Sequence, residues 1–157
     1  MMQAVSVHQL TIRTAEPADI DRLRDVYRRA SLSNDGDRAD LLANPDALTF
    51  AEAPVHEGRT RVALEDQRVI GFATTRHIDD VVELDDLFVD PAWMRRGIAR
   101  ALVVDATTIA AALGVTRLEV TANGHALDFY QATGFVLDGG TETQFGSGHR
   151  MHLDVAS

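Results

Sequence analysis

The chain has 157 residues, a net charge of −9, 45% hydrophobic and 25% charged residues, and no cysteine. This is the composition of a soluble globular protein; it excludes disulfides, thiolate nucleophiles and cysteine-ligated metal, and its acidity argues against general nucleic-acid binding while suiting cationic amines. All fifteen basic residues are arginine, so no lysine is present to form a Schiff base or to be acylated.

Taken in order, the chain alternates short elements. HQLTIR (8–13) mixes β-branched and polar residues and predicts a strand. The helix after it begins near Pro17, carries Asp19 and Asp21 in its N-terminal half, and sets Ile20, Leu23, Tyr27 and Ala30 on one face. SLSNDGD (31–37) ends that helix, a second short helix is expected over 38–43 before Asn44-Pro45, and 45–58 reads as a loop. TRVALE (60–65) and RVIGFATTR (68–76) flank Asp66-Gln67 as a hairpin, and 81–89 adds a third strand. A helix over about 96–113 presents Ile98, Leu102, Ala106, Ile109 and Leu113, with Gly114 to end it. VTRLEVTA (115–122) is a strand, and Asn123 caps a short helix through Thr133 that Gly134 closes. FVLDG (135–139) is a strand, GTETQFGSG a glycine-rich connection, and HRMHLDV (149–155) a final strand. The order β-α-α-β-β-β-α-β-α-β-β predicts a single α+β domain over 1–157, with a mixed, mostly antiparallel central sheet flanked by helices.

The stretch ELDDLFVDPAWMRRGIARALVV (83–104) passes from strand through a glycine-containing turn into a helix. Such a turn aims N–H groups without intrahelical acceptors, and the positive end of the helix dipole, at an anion. Arg95, Arg96 and Arg100 add full charges there. The segment therefore reads as a pyrophosphate seat, although it carries neither the three spaced glycines of a dinucleotide fingerprint nor the Gly-Lys-Ser/Thr of a P-loop. The histidines are scattered without an H-E-x-x-H pattern, and no metal site is predicted.

Two blocks match a known family. LFVDPAWMRRGIARAL fits a Gln/Arg-x-x-Gly-x-Gly/Ala signature through Gly97 and Ala99, with Met94 where Gln or Arg is usual. VTANGHALDFYQATGF supplies Asn123, Ala126, Tyr130, Gly134 and Phe135 for an Asn…Ala…Tyr…Gly-Phe block. On these blocks the chain resembles the GNAT superfamily of acetyl-CoA-dependent N-acetyltransferases.

The resemblance implies that backbone amides over Arg95, Arg96, Gly97, Ile98, Ala99 and Arg100 hold the pyrophosphate of acetyl-CoA. It implies that amides near Leu87, Phe88 and Val89 hold the pantetheine arm and polarise the thioester carbonyl, with Asn123 as helix cap and pantetheine contact. Glu83, fourteen residues before Gly97, has the spacing of a general-base glutamate in histone-acetylating relatives. Strand alternation puts Asp85 on the same face, as a second candidate base, and Asp86 on the other unless a bulge intervenes. Tyr130 is the implied general acid for the departing thiolate. Trp93 reads as a cover for the turn and His125 as a surface histidine.

The expected activity is transfer of the acetyl group of acetyl-CoA to a primary amine, small or amino-acid-like, by direct sequential transfer without metal. Acetylation of a protein N-terminus or lysine, and a non-catalytic acyl-CoA sensor, are the alternatives. Asp35, Asp37, Asp40 and Asp46 make the expected acceptor side acidic. The resemblance also admits a homodimer. No apolar run approaches the roughly 18–20 residues of a membrane span. The first residues lack a basic region ahead of an apolar core, so a cytoplasmic location is expected.

Overall fold

A computed structural model of the protein describes residues 10–33, 39, 42–43, 49–143 and 146–155. The described strands are β1 (Leu10–Thr14), β2 (Thr60–Glu65), β3 (Arg68–Ile78), β4 (Val81–Val89), β5 (Arg117–Ala122), β6 (Val136–Thr143) and β7 (Gly146–Asp154). The helices are α1 (Ile20–Leu32), α2 (Ala53–His56), α3 (Ile98–Ala112) and α4 (Leu127–Ala132). The sheet order is β1-β2-β3-β4-β5-β7-β6, antiparallel throughout except for the parallel β4–β5 pair. This is the mixed α+β architecture expected. None of the described helices is long and apolar enough to cross a membrane.

Each face of the sheet buries its own apolar cluster. On one, Ile20, Leu23 and Val26 of α1 pack on Val62, Leu64, Val69 and Phe72. Phe72 is completely buried, its ring 5.5 Å from those of Phe50 and Phe88. On the other, Ile98, Leu102, Val103, Ala106 and Ala110 of α3 pack on Ile70, Val82, Leu84, Leu118 and Val120. Burying a side chain of this size contributes about 1.5–3 kcal/mol. Val103 and Ala110 take the inward places expected for Ile109 and Leu113, and Leu113 is 49% exposed. The buried face is thus rotated around the 3.6-residue helix from the expected stripe.

The turn chemistry is specific. Asp66 and Gln67 both take positive φ (51° and 67°) between the paired Glu65 and Arg68, a two-residue turn of the type whose twist matches a hairpin. Gly71 on β3 allows a close approach: a Cβ there would lie 2.9 Å from the Phe88 carbonyl oxygen and 3.3 Å from Ile98 of α3.

Three expectations need correcting. Residues 53–56 form one helical turn rather than loop, because Pro54 suits a first turn and Val55 has a buried site to fill. The presumed connection after Gly139 is strand on both sides, β6 running to Thr143 and β7 starting at Gly146; antiparallel pairing overrides the weak strand propensity of its glycines. Regular helix α4 begins only at Leu127, although Asn123 Oδ1 does accept a bond from the Ala126 N–H at 3.0 Å. The expected helix over 38–43 lies largely outside the described residues, as do Asp35, Asp37, Asp40 and Asp46.

Candidate active site

Parallel pairing between β4 and β5 ends at Leu84↔Val120, yet β4 continues to Val89 against β3. The β5-facing edge of Asp85–Val89 is thereby left without a strand partner among the described residues. A cleft of about 660 Å³ opens beside it. Leu87 and Val89 form one wall, Ala126 with Phe129 and Tyr130 of α4 another, and the turn into α3 closes one end.

That end is built for an anion. Arg95 and Gly97 both have left-handed backbone, φ 64° and 80°, a conformation that turns successive N–H groups toward one point. The first helical bond of α3 runs from Ala101 N–H to the Gly97 carbonyl, 3.0 Å. The N–H groups of Ile98, Ala99 and Arg100 precede it and have no acceptor within the helix. A Cβ on Gly97 would meet no protein atom within 4 Å, so its open side faces free space. An apolar trough ending in amides, a helix N-terminus and arginines fits the pantetheine and pyrophosphate of acetyl-CoA.

Of the residues expected at this cofactor, Leu87, Val89, Arg95, Gly97, Ile98, Ala99 and Arg100 line the cleft. Phe88 turns its ring to the opposite face, edge-on to Tyr27 at 5.0 Å. Arg96 lies over the Trp93 ring at 4.9 Å, and the Asn123 side chain is engaged as a cap. Trp93, Met94 and His125 also line the cleft. Only the neighbouring block of sequence could have signalled them.

The carboxylates of β4 differ sharply in their partners. Glu83 is gripped by Arg150, with Oε1 2.6 Å from Nη1 and Oε2 3.2 Å from Nη2. The same guanidinium donates to Glu119 and to Thr121 Oγ1, each at 2.7 Å. Asp85 is held by Arg76, 2.9 Å between Oδ1 and Nη2. Its place in the ladder is a bulge: Thr75 pairs with Leu84 and Thr74 with Asp86, leaving Asp85 unmatched. Side-chain packing records the shift. Val82, Leu84, Leu87 and Val89 all join the α3 cluster, which unbroken alternation would forbid. Asp86 consequently lies on the α1 face with Phe88, the opposite of the simple expectation.

Asp86 stands opposite Thr74 in the β3–β4 ladder, and Thr74 Oγ1 is 3.0 Å from that of Thr60, both threonines being buried. Burial, and then the charge of Asp85, push its carboxyl up to about 6 against the smaller opposing pull of Thr74 and Arg59. No ion pair reaches it among the described residues. Tyr130 is buried against Phe129 and Phe135, each at 5.2 Å. Burial first and the Asp86 charge second raise its pKa, which keeps the phenol protonated. Tyr27 on α1 is raised by the same two causes in the same order.

A family model described as the acetyltransferase (GNAT) family matches residues 20–135. No curated protein matches the sequence significantly. Solved structures share the fold at low identity. The PaiA N-acetyltransferase of Thermoplasma acidophilum, in complex with coenzyme A, aligns with TM-score 0.76 and 19% identity over 93% of this chain and 99% of that one. The ribosomal-protein-S18-alanine N-acetyltransferase of Escherichia coli gives 0.72 and 21% over 95% and 96%. N-acetylglutamate synthase of Neisseria gonorrhoeae, with coenzyme A and N-acetyl-glutamate, gives 0.73 and 18% over 95% of this chain and 36% of that one.

Proposed function

The chain belongs to the acetyltransferase (GNAT) family, and on that premise we propose that it moves the acetyl group of acetyl-CoA to a primary amine in one direct, sequential transfer. The observation that carries the reading is the parting of β4 from β5 beside a cleft that has an anion seat at one end and Tyr130 in its wall. Acetyl-CoA supplies an activated thioester. The chain's residues orient it, relieve the amine of a proton and return one to sulfur.

The left-handed turn at Arg95 and Gly97 and the first N–H groups of α3 bind the pyrophosphate, with Arg95 and Arg100 adding charge. Unpaired amides of β4 near Leu87–Val89 receive the pantetheine arm and donate to the thioester oxygen. A preorganised donor at that oxygen typically supplies a few kcal/mol of barrier lowering. As the new N–C bond forms and the C–S bond breaks, the electron pair leaves on sulfur and Tyr130 donates its proton there. A β4 carboxylate accepts the proton that the ammonium form of the acceptor must lose before attack.

The acceptor enters on the α1 side, a small or amino-acid-like amine being the first choice. The solved structures named above include a ribosomal-protein-S18-alanine N-acetyltransferase and an N-acetylglutamate synthase, so the fold accommodates both protein and small-molecule work. Calorimetric titration with acetyl-CoA, followed by thiol release across amines and peptides, tests the reading. Binding together with one amine that accelerates release is the expected result. Absence of binding overturns the assignment, and binding without acceleration by any amine or peptide favours the sensor.

A further inference from the structure

Resting on the acetyl-transfer reading, the roles of the three β4 carboxylates can be separated by their partners and positions. Glu83 lies where β4 is still paired with β5, opposite Glu119. Both its oxygens are taken by Arg150, and the Arg150 Nη1 and Nη2 groups are shared among Glu83, Glu119 and Thr121. Both oxygens are thus committed to a guanidinium rather than presented to an incoming amine. Asp85, the bulged residue, is forked by Arg76 and has Arg59 at 3.9 Å. Asp86 lies one residue further on, past the last β4–β5 pair and opposite the neutral Thr74, with no arginine paired to it among the described residues. The bulge puts it on the α1 face, and its charge adds to burial in raising the pKa of Tyr27 and of Tyr130.

We propose that Asp86 is the catalytic base of this enzyme, set on the α1 face beside the gap by the Asp85 bulge and backed by the Thr74–Thr60 hydroxyl pair, while Glu83 and Asp85 are structural partners of arginines. Asp86 takes one proton from the acceptor ammonium, which frees the nitrogen lone pair. When the N–C bond forms and the C–S bond breaks, Tyr130 protonates the sulfur and recovers a proton from the newly acylated nitrogen. Asp86 then releases its proton to water, and charge and protons balance. The groups facing Asp86 are Asp85 on its own strand, Thr74 on β3, Arg59 just before β2, Tyr27 on α1 and Tyr130 on α4. A base in these surroundings is active above the midpoint set by its folded-state ionisation, so turnover should rise with pH through about 6.

The test is the pH dependence of kcat at saturating substrates for wild type, D86N, E83Q, D85N and T74V, with acetyl-CoA affinity measured by calorimetry on each. For D86N the expected loss is about 100-fold in kcat, near the low end for a general base, with acetyl-CoA affinity within about threefold of wild type and the acid limb of the profile abolished. E83Q should keep the limb. D85N, which removes a repelling charge, should move it to lower pH, and T74V, which removes a stabilising hydroxyl, should move it to higher pH. A merely structural role for Asp86 would leave the limb in place in all these variants. D86N retaining more than a tenth of wild-type kcat with the limb intact, or a limb that vanishes in E83Q instead, would overturn the assignment. Failure of wild type to bind acetyl-CoA would instead strike the underlying acetyl-transfer reading, so the two failures are distinguishable.

Discussion

Arg22 on α1 and Asp90 at the end of β4 meet at 2.7 Å, tying the helix on one face of the sheet to the turn proposed to seat the cofactor on the other. Asp90 is 1% exposed and accepts the Ala92 N–H at 3.0 Å, and Arg29 approaches it at 3.3 Å. Arg22 also donates its Nε to the Val69 carbonyl at 2.8 Å. Burial alone would push the Asp90 carboxyl up, but the Ala92 N–H and the two arginines outweigh it and hold the pKa below the usual range.

Replacing Arg22 with glutamine should destabilise the protein by about 3 kcal/mol, because it leaves a buried charge with a weaker, more distant partner. Urea unfolding at neutral pH checks this. The pH dependence has a definite sign. A depressed folded-state pKa stabilises above the unfolded value near 4 and is lost as pH falls through the folded one. The gap between wild type and R22Q should therefore shrink in acid.

Tyr130→Phe keeps the ring volume that fills the site between Phe129 and Phe135. Stability should change little, while kcat falls by roughly 100-fold with acetyl-CoA affinity preserved. Steady-state kinetics alongside calorimetry separates the two effects. Loss of both together would make Tyr130 a packing residue instead.

Two glycines should fail in different ways. Gly97→Ala meets no steric obstacle in the protein but forces alanine to φ near 80°, at a cost of about 1 kcal/mol. Its Cβ would occupy space reserved for the ligand, so acetyl-CoA affinity should drop by at least about tenfold, or 1.4 kcal/mol. Gly71→Ala drives a Cβ to 2.9 Å from the Phe88 carbonyl. Overpacking of that kind costs about 1–3 kcal/mol, so melting temperature should fall by roughly 5 °C with a smaller effect on affinity.

What the sequence made legible was local. The strand–turn–helix at Arg95–Arg100, the Asp66-Gln67 hairpin and the Asn123 bond are each written in adjacent residues, and each is found in the fold. Long-range facts were hidden. Arg150 reaches Glu83 across 67 positions, and Arg22 reaches Asp90 across 68. The bulge at Asp85 has no signature of its own, since it arises from the register of β3 against β4. The spacing to Gly97 directed attention to Glu83, and strict alternation then favoured Asp85 on the same face over Asp86.

Asp86 also sets a cost that the fold carries at neutral pH. Its folded pKa, about 6, lies above the unfolded value near 3.9, so the native state holds a proton more tightly than the unfolded chain. Its contribution to stability is fully present below pH 4 and is lost as pH rises through 6, a change of about 2–3 kcal/mol. Asp86→Asn removes that titration while retaining a side chain that can bond Thr74. The variant should be more stable than wild type at pH 8 by about that amount, with the advantage disappearing near pH 4. Chemical denaturation at the two pH values reads this directly. Stability gained together with turnover lost is the pattern of a group kept for chemistry against the preference of the fold. Equal stability of the two proteins at both pH values would mean that Asp86 is solvated like a surface carboxylate and has no raised pKa to use.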